Sequence, residues 1–141
     1  MAQLLVYDAG KTLMASWLAT QSVGVMLLSP SYTPQPTHRF ITNVSAYEIA
    51  VQGYDRQTLA GVVASTNAVA HQGVLSADNV TWASLGAGAT IGWAMLFLPG
   101  FSDAVSYLLA AIQTATIMTN GAPLTVAWNG GASAGTIYVI E

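Results

Sequence analysis

The residues able to do chemistry are few and badly spaced for it. The chain has two histidines, His38 and His71, too far apart for a His-x-His or His-x-x-x-His metal pair. It has no cysteine, which excludes thiolate ligation, thiol catalysis and a disulfide framework. Paired carboxylates for glycoside hydrolysis would have to come from Glu48 and Asp55, but the sequence around them shows no groove of further polar and aromatic residues. No G-x-S-x-G nucleophile elbow occurs. The Gly-rich pieces LGAGAT (Leu85–Thr90) and NGGASAG (Asn129–Gly135) lack the Lys-Ser/Thr of a phosphate loop and read as hairpin turns. The expectation is a non-enzymatic protein with no catalytic residue, no metal and no cofactor.

What remains is one dense cluster of charge. The segment HRFITNVSAYEIAVQGYDR (His38–Arg56) contains Arg39, Glu48, Asp55 and Arg56, in a chain with only three Lys or Arg and six Asp or Glu. Two opposite-sign pairs suggest themselves, Arg39 with Glu48 and Asp55 with Arg56. Directly before it stands YTPQPTHRF (Tyr32–Phe40), and Pro30, Pro34 and Pro36 are three of the five prolines. Proline restricts itself and the residue before it, so an arm over about 30–40 is expected to be extended and pre-ordered. Less entropy is then lost if it docks. Two readings stay open: the cluster closes a loop onto its own sheet, with the arginine stems covering apolar surface, or it makes a specific contact with a partner, for which Arg and Tyr are the favoured types.

Stepping outward, composition limits the partners. Charged residues make up 6% of the chain, against about 25% in an ordinary soluble domain. With 53% hydrophobic residues and so few charges, much of the surface is expected to lie against something else. Lys11, Arg39 and Arg56 cannot assemble the basic patch that a phosphate backbone needs, so no nucleic-acid partner is expected. The start, MAQLLVYDAGK, has no positive region ahead of its apolar residues and does not read as a secretory leader. Ala83–Phe101 is 19 residues without a charge, close to the roughly 20 of a membrane-spanning helix. Its Gly-rich start, the break at Pro99-Gly100 and the missing basic flanks favour a buried strand, so no membrane partner is expected.

The elements that would position these residues are mostly strands. Asp8–Thr20 is the best helix, with Leu13, Met14, Trp17 and Leu18 on one apolar face and Asp8 able to cap it. After it come Val23–Ser29, an alternating Ala46–Gln52, Val80–Leu85, Ala89–Leu98, Leu124–Trp128 and Thr136–Ile140, separated by Gly, Asn and Pro turns. In Ala89–Leu98, Ile91, Trp93, Met95 and Phe97 fall on one face and Gly92 and Ala94 on the other. Thr58–His71 reads as one loosely periodic strand or two. Asp103–Met118 fits a helix or a strand, and its β surroundings favour the strand. The four tryptophans sit in phase with apolar faces, which predicts core packing rather than sugar stacking. The sum is a single all-β domain over 1–141, an antiparallel sandwich with a short N-terminal helix.

The order of motifs carries a resemblance. YDAGKTLMASWL leads into a short apolar strand and then S-x-S-Y-T-P-x-P-T-H-R-F. Y-E-I…G-Y-D-R-Q-T-L and A-D-N-V-T-W-A-S-L-G-A-G-A-T follow, and T-N-G-A-P-L-T-V-A-W-N-G-G with a final I-Y-V-I closes the chain. This order resembles the small virion proteins of tailed bacteriophages, in particular the cement (decoration) proteins on the outside of the capsid. The resemblance implies a jelly-roll sandwich without catalysis, bound to the major capsid protein and to itself as a dimer or trimer. It also implies assembly in the host cytoplasm and residence on the outer capsid surface. The contact candidates are Tyr32, His38, Arg39, Tyr54 and Arg56, chosen from the charge cluster and the proline arm. A tail, neck or fibre-base virion protein and a carbohydrate-binding sandwich are the alternatives.

Overall fold

A computed structural model describes residues 4–128 and 136–140. The helix α1 spans Asp8–Ala19. The strands are β1 (Gly24–Leu28), β2 (Gln57–Thr58), β3 (Val63–Asn67), β4 (Gln72–Ser76), β5 (Val80–Trp82), β6 (Thr90–Leu98), β7 (Tyr107–Met118), β8 (Leu124–Val126) and β9 (Thr136–Ile140). The chain is mostly antiparallel β-sheet with one short helix near the N-terminus, consistent with an all-β sandwich. Among the described residues no helix is long and apolar enough to cross a membrane. The strands fall into two compact units, one drawn from Met1–Gln21, Ala60–Asn79 and Ala127–Glu141, the other from Ser22–Leu59 and Val80–Val126.

In the first unit α1 packs on the antiparallel sheet β3-β4-β9. A Cβ on Gly73 would overlap the Lys11 carbonyl, so glycine here is what lets the helix backbone lie against β4. Asp8 is the first helical residue, not the cap: Tyr7 holds that position and no side chain caps it. The Asp8 carboxylate is instead spent on the β3–β4 turn, with Oδ2 3.0 Å from His71 Nδ1. Lys11 Nζ donates to the His71 carbonyl at 2.6 Å. His71 itself sits at φ 55°, closing that turn in the left-handed region. These contacts orient α1, and they bury Ala15 and Leu18. The apolar face expected to be buried is turned outward: Leu13 is 70%, Met14 58% and Trp17 59% exposed. Polar anchors on the other stripe outweigh the apolar stripe because the sheet offers a close backbone approach there.

In the second unit the order is β2-β1-β6-β7, accompanied by a β5-β8 pair. All five residues of β1 are buried, and so are Ile91, Gly92, Ala94, Met95, Leu96 and Phe97 of β6. Trp93, Met95 and Phe97 share one face with Met26 and Leu28, as their alternation predicted, and Gly92, Ala94 and Leu96 on the opposite face are buried as well. The pairing with β7 slips between Ile91 and Trp93 and again between Leu96 and Phe97. The core joins Met26, Leu28, Tyr32, Ile41, Val44, Met95 and Phe97. Glycine is required at two approaches, since a Cβ on Gly24 would enter the Phe97 ring and one on Gly92 would overlap Pro30.

Two expectations change here. Ala46–Gln52 is not a strand: Ser45–Tyr47 is a 3-10 turn, and only Glu48 bridges β1, opposite Leu28. The β1 edge is already shared with β2 at Gly24 and Val25, which leaves room for a single bridge. LGAGAT is not a hairpin turn but the link from β5, which pairs with β8, to β6, which pairs with β1 and β7. Residues 129–135, the second expected turn, lie outside the described residues; the strands flanking them, β8 and β9, pair with β5 and β4. Asp103–Met118 resolves into a 3-10 turn (Asp103–Val105) and the strand β7, as its surroundings favoured.

Replacing Gly92 by Val should push Pro30 off β6 and cost about 1–3 kcal/mol through overpacking. A thermal melt followed by circular dichroism checks this, and an unchanged midpoint would refute the close approach.

Candidate functional site

The proline arm is ordered by hydrogen bonds to its own chain. Ser29 Oγ accepts from the Ser31 amide at 3.1 Å, and the Ser29 carbonyl accepts from the Tyr32 amide at 3.2 Å. The His38 amide donates to the Gln35 carbonyl at 3.0 Å, so Gln35–His38 forms a turn with Pro36 at its favoured second position. The arm is therefore bent where an extended course was expected. The bend brings His38 Nδ1 to 3.2 Å from the Tyr32 hydroxyl. Tyr32 is buried, edge-on to Trp93 at 6.1 Å and tilted against Tyr47 at 5.4 Å. Burial raises its phenol above the ordinary tyrosine range, against the opposing effect of a hydrogen bond to the Gln35 backbone. Tyr32 thus anchors the arm to its own core.

Past the bend the arm meets β7. Phe40 and Tyr107 form a single bridge with rings 4.8 Å apart, the Leu108 amide donates to the Arg39 carbonyl at 2.8 Å, and the Ile41 amide to the Ser106 carbonyl at 3.1 Å. Asn43 Oδ1 accepts from the amides of both Arg39 and Phe40, at 3.1 and 3.0 Å, which fixes this corner. The Arg39 side chain is exposed, with its guanidinium carbon 5.4 Å from the Phe40 ring centroid, and it makes no ion pair among the described residues.

β7 is the last strand of its sheet. Its first residues are covered by the arm, but from Leu109 to Met118 no described strand pairs with its outer side. The whole strand, YLLAAIQTATIM, has neither charge nor proline, the two devices that usually protect a sheet edge. A cavity of about 450 Å³ opens between arm and strand, lined by Tyr32, Pro34, Gln35, Pro36, His38, Met95 and residues 108–111.

The charge cluster closes a loop, but with partners other than those expected. Arg56 Nε donates to both oxygens of Glu48 at 3.0 Å and Nη2 to Glu48 at 2.8 Å. Nη1 and Nη2 donate to Asp103 at 2.7 and 3.1 Å. Neither Arg39–Glu48 nor Asp55–Arg56 forms. The guanidinium also lies 5.7 Å from the Phe97 ring centroid. Two carboxylates hold the Arg56 pKa above its ordinary value, Asp103 most strongly, and Arg56 in turn lowers that of Asp103. Tyr54 serves the same loop. Its hydroxyl accepts from the Leu27 amide at 3.1 Å, its ring stacks 6.4 Å from Trp82, and burial keeps its phenol well above the ordinary range.

Of the five contact candidates, Tyr32, Tyr54 and Arg56 are thus engaged within their own unit. His38 faces the cavity beside β7, and Arg39 stands free at the same corner. Sequence reasoning missed Asp103, whose only signal was a carboxylate opening a turn. It also missed the unprotected edge, whose signal was a twelve-residue strand without charge. Of the four tryptophans expected in the core, Trp82 and Trp128 are buried, with their indoles donating to the carbonyls of Asp55 and Asp78, and Trp93 is half-buried, but Trp17 is exposed on α1. Among the described residues no group of three His, Cys, Asp or Glu converges to hold a metal. No protein-family model, no curated protein and no solved structure matches the chain.

Because the folded pKa of Asp103 is depressed, its pairing contributes stability above the ordinary aspartate pKa of about 3.9 and loses it as pH falls through the lowered folded value. Asp103→Asn should therefore melt below the native chain at neutral pH, by a partly exposed pair's worth of about 0.2–1 kcal/mol. The gap should shrink with salt and vanish in acid. A gap that persists below the folded pKa would rule out the ion pair as its cause.

Proposed function

We propose that this chain is a non-enzymatic virion structural protein of the cement type. It binds the outer surface of a tailed-phage capsid and bridges neighbouring major capsid subunits. The observation that carries the reading is the bare, uncharged edge of β7, flanked by the proline arm and the cavity between them. A strand of a capsid subunit laid along Leu109–Met118 would find main-chain donors and acceptors in register, and the cavity would take a side chain of that strand. The arm, already bent and hydrogen-bonded, loses little entropy on docking. Arg39 adds a charge at the corner that has no ion pair among the described residues to give up.

The order of sequence motifs and the low charge support the same reading. Each copy buries modest surface across a seam, and many copies acting together resist outward pressure on the shell, since a bridged second contact profits from effective concentration. A tail, neck or fibre-base position would use the same edge and is separated by copy number, which is high for a cement protein.

The test is occupancy on purified capsids of the encoding phage, measured by co-sedimentation and electron microscopy with and without the protein. Placing lysine on the exposed edge, as Ala115→Lys with Thr116→Lys, should lower occupancy on the order of tenfold or more through the desolvation of edge charge, while the melt is unchanged. Arg39→Ala should weaken binding less and raise its salt independence. Native occupancy in both variants would overturn the edge as the capsid contact.

A further inference from the structure

The N-terminal helix has two stripes, and they do opposite jobs. Asp8, Lys11, Thr12, Ala15 and Leu18 face the sheet of the first unit. On the opposite side Gly10, Leu13, Met14 and Trp17 recur at spacings of three and four residues, the pattern of a helix–helix seam. Leu13, Met14 and Trp17 are exposed, as are Leu4, Leu5 and Tyr7 just ahead of the helix. With aromatic side chains each able to bury about 150–250 Å², these residues offer a patch on the order of the roughly 800 Å² per partner of a standard interface.

We infer that this outer face of α1 is a homotypic interface, covered by the same face of a second copy of the chain. Three features select a second copy over another partner. The patch has no charge, because the helix's two charged residues are turned to His71 on the other side. A two-fold interface meets itself, so an uncharged patch costs it nothing, whereas a foreign partner would gain no steering or specificity from such a surface. The area suffices for a stable dimer. The seam is also self-complementary: two antiparallel copies crossing between Leu13 and Met14 set Leu13 opposite Met14 and place Trp17 against Gly10. A Cβ on Gly10 would meet only Val6, at 3.9 Å, so the outer side of that position has room for the indole.

This does not rest on capsid binding, and the experiment needs no capsid. Sedimentation equilibrium of the purified full chain should give a dimer in the micromolar range. Trp17→Glu, which sets a carboxylate against Gly10 of the other copy inside an apolar seam, should weaken it on the order of tenfold or more. Trp17 is exposed within one copy, so the circular dichroism spectrum should not change. A second measurement guards against a variant that fails to fold. The chain has no cysteine, so Leu13→Cys under mild oxidation can form a disulfide only between copies, and it should run as a covalent dimer on a non-reducing gel. A native chain that sediments as a monomer, an oligomer that Trp17→Glu leaves intact, or a monomer that instead pellets with neutral phosphatidylcholine vesicles would each overturn the inference.

Discussion

In the larger sheet β1 and β6 pair from Gly24↔Phe97 to Leu28↔Trp93, and the places of the arm, the loop and the free edge follow from that pairing. Both strands are buried almost throughout, so neither can hold a charge, and the chain must approach them closely. Glycine at Gly24 and Gly92 makes room for Phe97 and Pro30. The outer side of β1 is shared between two residues of β2 and Glu48, which starts the loop that Arg56 closes. The outer side of β6 is filled by β7, and β7 thereby becomes the sheet's open end.

Five of the few charged groups close local structure. Arg56 holds Glu48 and Asp103 together, and Asp8 and Lys11 fasten α1 to the β3–β4 turn. Buried polar groups are satisfied as carefully, and among the described residues no buried side-chain nitrogen or oxygen lacks a partner. Charge spent this way is not available to coat the surface. What stays outside is a long uncharged strand edge in one unit and an apolar helix face in the other. Both are liabilities in a free monomer.

Much of the β framework was legible from local pattern. Val23–Ser29, Val80–Leu85, Ala89–Leu98 and Thr136–Ile140 each contain a strand because their apolar residues stop at Pro, Gly or Asn. The alternation in Ala46–Gln52 was as good as in several true strands, yet that segment finds one bridge and no more, because the edge beside it was taken. The face of α1 was misjudged for a related reason. The apolar moment of Leu13, Met14 and Trp17 says which side is greasy, and the closeness allowed by Gly73 decides which side is covered. The pairing of Arg56 with Asp103 rather than Asp55 rests on a contact 47 residues away, beyond any local signal.

The sequence alone determined the all-β class, the N-terminal helix, the arm as a constrained segment and the absence of thiol chemistry. Each of these depends on residue types and near-neighbour spacing. Tertiary structure decided which face of the helix is hidden, which carboxylates hold Arg56, that the arm bends back onto Tyr32, and that β7 is the edge. Those outcomes depend on which distant segments compete for the same hydrogen-bonding edge and the same close approach, and that competition is settled only when the strands are side by side.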